Sequence, residues 1–281
     1  MNPWSKEEVE AIVADYFLML CRELKGESYS KMDHRNRLVE KLTPRNAGSV
    51  QKKYQTISAA LLALNLPYIR GYKPLDNYQT LLIEQIDVHL EKHPEIVGVL
   101  TAYAERSLLA PVQRDLFFRA TVVDPPEPHP PESGNKERLL RKIMKKYTFV
   151  TAEANNSDLK EAGKGFVLDL ERARLREEGS LRMADRIEQI SAKRASVAPY
   201  DILSYECNEK PLFIKVKTTS CGMRFPFSLS AAELAFSAAN PDSYRLYRLF
   251  DFPEAPRLFI LKGRLYDWIR LIPESFLARV E

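Results

Sequence analysis

Two β-rich runs near the C-terminal end of the chain constrain its fold more than any other feature. Residues 200–204 (Tyr-Asp-Ile-Leu-Ser) and 212–219 (Leu-Phe-Ile-Lys-Val-Lys-Thr-Thr) flank a polar turn at 208–210. Runs of this kind around a polar turn predict a β-hairpin. Successive side chains of a strand point to opposite faces, so Lys215 and Lys217 share one face and Val216 lies on the other. The sequence therefore predicts two paired strands that carry one acid, Asp201, and two lysines.

A proline-rich stretch divides the 281 residues into two predicted domains. Residues 125–134 read Pro-Pro-Glu-Pro-His-Pro-Pro-Glu-Ser-Gly, and proline at that density favours extended polyproline geometry over a packed element. We therefore predict a first domain over residues 1–107, a linker over 108–139 and a second domain over 140–281.

The first domain is predicted to be entirely helical. Ser5 and Glu8 form a capping-box pattern, and apolar residues recur behind it at helical spacing. The same spacing predicts three further helices, over residues 31–42, 47–66 and 78–92.

The second domain is predicted to begin with helices and continue with strands. Ser230 and Glu233 form a second capping box, which opens a short helix to about residue 239. The predicted strands cover residues 200–206, 212–219, 224–229, 244–252 and 257–261. This order predicts an α+β protein in which a helical domain precedes an α/β domain with a central mixed sheet.

Composition is that of a soluble globular protein, with 45% hydrophobic and 28% charged residues. No apolar run reaches the roughly 18 residues that span a bilayer, and the N-terminus lacks the order of a signal peptide. Three widely separated cysteines indicate reduced thiols rather than a metal site. We therefore expect a cytoplasmic protein without membrane contact. A net charge of +4 permits a nucleic-acid partner without requiring one.

The acid and the lysines of the predicted hairpin resemble the core of PD-(D/E)xK nucleases. In that core an aspartate and a second acid bind magnesium, and a lysine on the neighbouring strand opposes charge on the phosphate. Asp201 and Lys217 match the aspartate and the lysine. The second acid is missing, because Lys215 occupies its place two residues before Lys217.

The second domain also resembles the C-terminal domain of plant NO VEIN proteins and the related bacterial DUF3883 domain, over roughly residues 140–281. This resemblance implies a restriction-endonuclease-like fold. It rests on seven short stretches, at residues 163–172, 181–187, 200–202, 216–219, 226–227, 233–237 and 244–248.

Three departures from the family pattern put its chemistry in doubt. The family has Gly-Glu where this chain has Gly163 and Lys164, and it has Glu-Val-Lys where this chain has Lys215, Val216 and Lys217. The family's glycines before Tyr-Asp are replaced here by residues 196–199 (Ser-Val-Ala-Pro). Asp201 is then the one certain metal ligand, so magnesium is expected only if the protein is active. Glu171 and Glu206 stay open as replacement acids.

The same substitutions favour a second use of the predicted site. Lysines 164, 215 and 217, with few acids around them, would bind a phosphate without cutting it. The catalytic candidates are therefore Asp201, Lys217, Lys215 and Lys164, and the expected outcome is an impaired nuclease.

The first domain is similar, over about residues 3–92, to a helical module at the front of bacterial restriction-type proteins. Arg45, Ser49, Lys52 and Lys53 lie in the first turns of a predicted helix, where basic side chains and backbone donors suit a phosphate. These four residues are the predicted DNA-binding set. The alternative is a solvated helix face on a domain that binds a protein or has a purely structural role.

Three functions follow from these patterns. The leading one is a DNA-binding protein of the restriction or phage-defence kind, with a degenerate PD-(D/E)xK domain. The second is an active magnesium-dependent DNA endonuclease that recruits another acid. The third is a scaffold for protein partners that does not touch nucleic acid. The sequence does not decide whether the protein is an enzyme, whether it binds a protein partner or whether it forms a homo-oligomer.

Overall fold

The structure of the chain is a computed structural model that describes residues 3–42, 44–107, 121–127, 134–190 and 198–272. Residues cluster by contact into two compact units. The first unit takes in Met1–Ser107, Glu127–Asn156 and Arg224–Pro226. The second unit takes in Leu108–Pro126, Ser157–Met223 and Phe227–Glu281.

The described part of the first unit is helical. Its helices are α1 (Lys6–Leu24), α2 (Lys31–Lys41), α3 (Ala47–Ala63), α4 (Thr80–Lys92), α5 (Pro94–Glu105), α6 (Gly134–Met144) and α7 (Phe149–Asn155). The predicted capping box is present, since the Ser5 side chain accepts from the Glu8 amide and Glu8 accepts from the Ser5 amide. The apolar face behind it is buried, with Val9, Ile12 and Val13 fully inaccessible.

Helix α6 changes the predicted division of the chain. It begins at Gly134, so residues 134–139 of the predicted linker are helical, and most of the remaining linker lies outside the described residues. Residues 127–156 cluster with the first unit, whereas the prediction placed everything from residue 140 onward in the second domain. The reason is the burial of Leu140, Ile143 and Phe149. The boundaries of the linker itself stay a prediction.

The second unit is built on one mixed sheet. Its elements are α8 (Ser157–Glu177), α9 (Leu181–Ala184), β1 (Glu188–Gln189), β2 (Ile202–Tyr205), β3 (Pro211–Thr218), α10 (Ala231–Ala239), β4 (Tyr244–Phe250), β5 (Arg257–Lys262) and a 3-10 turn (Leu265–Asp267). The five described strands lie in the order β1-β2-β3-β4-β5. Together with the helical first unit, this mixed sheet confirms the predicted α+β class.

The predicted hairpin is present. Strands β2 and β3 pair in antiparallel fashion, with Ile202 opposite Ile214. Strands β3 and β4 run parallel, with Lys217 opposite Arg248, and α10 lies in the connection that a parallel pair requires. Strands β4 and β5 are again antiparallel.

One predicted strand is wrong. Residues 224–229 form no strand in the structure. Pro226 lacks a backbone donor, and Phe225 is instead buried with its ring against that of Phe149, at 5.6 Å between centroids. The aromatic residues of this stretch therefore pack individually rather than as one face of a ladder.

The two edge strands of the described sheet are β1, which is short, and β5, which is partly covered. Strand β1 has only two residues. At the other end Val122 forms an isolated parallel bridge with Leu258 of β5, and the Val123 amide donates to the Leu258 carbonyl at 2.9 Å.

The two faces of the sheet bury different cores. One core joins α8, through Phe166, Val167 and Leu170, to Ile214 and Val216 of β3. The other core lies on the face of α10, where Phe213 and Phe236 pack near Tyr244 and Leu246. Lys215 and Lys217 therefore share one face of β3 and Val216 lies on the other, as the alternation predicted, and the face of the lysines is the one that α10 covers.

Gly163 sets the close approach of α8 to β3. A Cβ atom at this position would lie 1.9 Å from Thr218 Oγ1 and 2.9 Å from Thr218 Cβ. The side chain in the way is the short branched group of a strand residue, so relief requires movement of the helix or the strand.

We expect Gly163→Ala to lower the free energy of unfolding by about 1–3 kcal/mol, because the methyl group overpacks the helix–strand contact. Gly165→Ala, two residues along the same helix, is the matched control. A Cβ there meets nothing within 4 Å, so this change should raise stability by up to about 1 kcal/mol through helix propensity. Urea denaturation followed by circular dichroism measures both, and equal effects of the two substitutions would contradict the packing argument.

Candidate functional site

The site is built around the carboxylate of Asp201, which precedes β2 directly and is 4% exposed. Asp201 Oδ2 accepts a hydrogen bond from the Val216 amide at 2.9 Å. The Asp201 amide donates to the Ile214 carbonyl at 2.8 Å, so the backbone of this residue is also bonded to β3. Asp201 is therefore fixed against β3 by its own backbone and by its side chain.

Lys215 lies between two carboxylates. Its Nζ is 3.2 Å from Asp201 Oδ1 and 3.1 Å from Glu233 Oε1. Its side chain is only 12% exposed. Burial lowers the pKa of Lys215, but the two carboxylates outweigh burial and hold the pKa above its ordinary value. Lys215 is therefore a protonated cation that bridges the two acids.

Glu233 is the acid that the sequence patterns did not assign to the site. It lies in the first turn of α10, where its side chain also accepts from the Ser230 amide at 2.8 Å. Lys217 Nζ donates to both of its carboxylate oxygens, at 2.8 and 3.0 Å. Burial raises the pKa of Glu233, and Lys217 and Lys215 together bring it below the ordinary value. Glu233 is thus ionised and shared by two lysines.

The four side chains form a linear network of three ion pairs, defined here as the Asp201–Lys215–Glu233–Lys217 quartet. Its formal charges cancel, with two carboxylates against two ammonium groups. Burial lowers the pKa of Lys217 more than Glu233 raises it, so this lysine is the less stabilised of the two cations. The structure thus brings together three of the four predicted catalytic residues and adds Glu233.

The structure does not bring Lys164 to the quartet. Lys164 lies on α8, and within the described part of the chain its ammonium pairs only with Glu161 on the same helix. The predicted cluster of three lysines with few acids is therefore wrong in its geometry. Two of those lysines are neutralised by acids, and the third is engaged elsewhere.

Neither replacement acid reaches Asp201. Glu171 is fully buried on the α8 side, where its carboxylate accepts from Arg174 at 2.7 Å, Ser204 at 2.7 Å and Tyr247 at 2.7 Å. Glu206 pairs with Arg245 at 3.4 Å. Both acids are used in other contacts. The second acid beside Lys215 and Lys217 is Glu233.

The predicted DNA-binding residues are mostly engaged within the first unit. Arg45 pairs with Glu8 at 2.7 Å and lies 4.6 Å above the Trp4 ring. Ser49 belongs to the cap of α3, where its amide donates to Asn46 at 2.9 Å.

The two neighbouring lysines of this set differ. Lys53 is 8% exposed and lies 5.3 Å above the Trp4 ring, whereas Lys52 is exposed. The DNA-binding role of the four residues stays a prediction, and Lys52 is the member that presents a charge to solvent.

The fold and the quartet define an α+β domain whose sheet carries paired acids and lysines beside a short helix. Residues 163–261 match the family described as Protein NO VEIN, C-terminal. This match confirms the predicted resemblance over that part of the chain. No match was found among curated proteins or among solved structures.

Among the described residues, no group of three or more His, Cys, Asp and Glu side chains is placed to hold a metal ion. In the same part of the chain, no helix has both the length and the apolar character to cross a membrane.

The burial of Lys53 predicts that the free energy of unfolding depends on pH. Burial and Arg45 lower the pKa of Lys53 to about 8, from an ordinary value of 10.5. Between these values the unfolded chain retains a proton that the folded protein has released, so the free energy of unfolding rises with pH.

We therefore expect Lys53→Met to reduce the gain in unfolding free energy between pH 7.5 and 9.5. Lys52→Met, at the exposed neighbour, should leave that gain unchanged. The two tryptophans are Trp4 and Trp268, so urea unfolding in a Trp268→Phe background reports on the first unit through Trp4 fluorescence. An identical pH dependence in the parent and in Lys53→Met would refute the assignment.

Proposed function

We propose that the chain is a DNA-binding protein of the restriction or phage-defence kind whose PD-(D/E)xK-like domain does not cleave. The observation that supports this is the position of Lys215, whose ammonium lies 3.2 Å from Asp201 and 3.1 Å from Glu233. A divalent ion shared by these two acids would need the same space. The lysine acts as a tethered cation that pairs with both acids.

The residues present do not fit magnesium. Mg²⁺ requires near-octahedral oxygen ligands at close range, and each carboxylate here already accepts from an ammonium group. A unit charge about 4 Å from another costs about 4 kcal/mol at an effective dielectric of about 20, and a divalent ion doubles this figure. Lys215 and Lys217 would both oppose the ion, so no catalytic step is assigned to a metal.

DNA binding in this proposal rests on the rest of the protein rather than on the quartet. Since the quartet is formally neutral and largely buried, it offers little attraction to a phosphate. The mild net charge of +4 and the likeness of the first domain to a module of restriction-type proteins support a DNA partner. A DNA-binding role with a silent nuclease domain is the function that joins these observations.

The unmodified protein should show no cleavage of plasmid DNA with Mg²⁺ or Mn²⁺, because the cation position is filled. Agarose electrophoresis after incubation at several protein concentrations measures this. Robust metal-dependent cleavage that is lost in Asp201→Ala would favour the active endonuclease instead. Absence of any salt-dependent DNA binding would favour the protein scaffold.

Replacing the tethered cation should create a metal site. In Lys215→Glu, three carboxylates converge, and we expect Mn²⁺ affinity measured by calorimetry to rise by at least about tenfold, roughly 1.4 kcal/mol. Lys215→Met is the matched control, because it removes the ammonium without adding a ligand, so its gain should be smaller.

Two further results decide the interpretation of that experiment. Adding Asp201→Asn to Lys215→Glu should abolish the gain, since Asp201 is part of the new carboxylate cluster. If Lys215→Glu binds Mn²⁺ no better than the parent although circular dichroism shows it to be folded, Lys215 does not occupy the cation position.

A further inference from the structure

Positive charge is concentrated in one short part of the first unit. Residues 134–147 comprise α6 and the turn after it, and they contain six lysines and arginines but a single acid, Glu137. This segment has a net charge of +5, whereas the whole chain, with 42 basic and 38 acidic residues, has +4. The rest of the chain therefore sums to −1, and the basic character of the protein comes from this segment.

The apolar side of α6 is already used in packing. Leu140 is 5% exposed and Ile143 is fully buried, and the helix packs against α4 in the same unit. Lys146, just beyond the helix, pairs with Asp87 at 2.6 Å and Glu91 at 2.7 Å on α4. The orientation of α6 is thus fixed from its apolar side and from its end.

Three cations remain on the outer side of the helix. Arg138, Lys142 and Lys145 are exposed, and none of them has an ion pair or a hydrogen bond to another described side chain. Arg138 and Lys142 lie four residues apart on one face of α6, and Lys145 is the first residue of the turn that follows, so the three residues span about 10 Å along the segment. We call these three residues the α6 basic face. Arg141 lies beside it and pairs with Glu137 at 2.8 Å.

We infer that the α6 basic face binds the phosphate backbone of double-stranded DNA. This inference rests on the proposed DNA-binding function and names the surface that carries it. Exposed cations without acidic partners gain most from phosphates, since binding releases condensed counterions from the duplex. Phosphate contacts position a protein without reading bases, so the contact is independent of sequence.

The packing of α6 distinguishes DNA from an anionic membrane. A basic amphipathic helix that binds a membrane surface inserts its apolar face into the lipid. Here that face is occupied, since Leu140 and Ile143 are buried in the first unit. Only the charged side is available to a partner.

The test measures binding of the full chain to two unrelated 20-base-pair DNA duplexes by fluorescence anisotropy between 50 and 200 mM NaCl. The variant replaces Arg138, Lys142 and Lys145 with glutamine, which removes three charges and preserves helix propensity. We expect affinity at 0.1 M salt to fall about 10- to 100-fold, equally for both duplexes. The slope of log K against log salt should become shallower by about 2 to 3.

A matched variant replaces Arg22, Lys41 and Lys73 with glutamine. These residues belong to the same unit and are exposed, and their side chains have no described partner, so the same charge is removed elsewhere. Its affinity and salt slope should stay near those of the parent. Equal losses in both triple variants would show a general charge effect and overturn the α6 assignment.

Three other outcomes are decisive. If the parent binds DNA and the α6 variant binds with the same affinity and slope, the inference fails while the proposed function stands. If the parent does not bind either duplex at 50 mM NaCl, both fail. If the parent instead binds phosphatidylserine vesicles and the α6 variant does not, the surface is a membrane contact and the inference is overturned.

Discussion

The second unit depends on one buried carboxylate. Glu171 is fully inaccessible, and its two oxygens accept hydrogen bonds from Arg174, Ser204 and Tyr247. A charge in that position is tolerated only when its partners satisfy it, because the cost of removing it from water is several kcal/mol. Since Ser204 lies on β2 and Tyr247 on β4, this one side chain joins α8 to two strands of the sheet. The position of the helix across the sheet, and with it the contact of Gly163 with Thr218, follows from that network.

The opposite face of the same sheet carries a charge network of another kind. In the Asp201–Lys215–Glu233–Lys217 quartet, acids and lysines alternate so that each inner charge has two neighbours of opposite sign. A monovalent cation attached to the backbone differs from a bound metal because it cannot dissociate and brings no exchangeable coordination position. The charges of the two acids on this face of the sheet are thus balanced by lysines of the chain itself.

Local patterns predicted the elements well and their long-range partners poorly. Alternation correctly placed Lys215 and Lys217 on one face, because strand geometry needs no knowledge of the rest of the fold. Glu233 was predicted as a helix-capping residue, which it is. Its second role was missed, since only the crossover between β3 and β4 brings α10 above the lysines. The sequence did contain a signal for this contact, because an acid in the helix that follows the lysine-bearing strand can pair with those lysines.

The same limit applies to residues whose sequence context suggested exposure. Arg45 and Lys53 lie near the start of α3, where basic residues favour a phosphate. In the structure, Arg45 pairs with Glu8, and both Arg45 and Lys53 lie above the ring of Trp4. Conversely, the prolines before residue 134 drew residues 134–139 into a predicted linker, although Leu140 and Ile143 at helical spacing mark a packed helix. Neither set of contacts is visible in the sequence without the tertiary structure of the first unit.

The two ends of the sheet have a consequence for the behaviour of the protein at high concentration. A long open edge is a template for pairing with a strand of another molecule. Within the described residues, β1 offers only two residues, and at the other end Val122 bonds to β5, whose terminal residues Arg257 and Lys262 are exposed charges. Such edges disfavour strand-by-strand growth, so we expect the folded second unit to resist amyloid-like aggregation and domain swapping through its sheet.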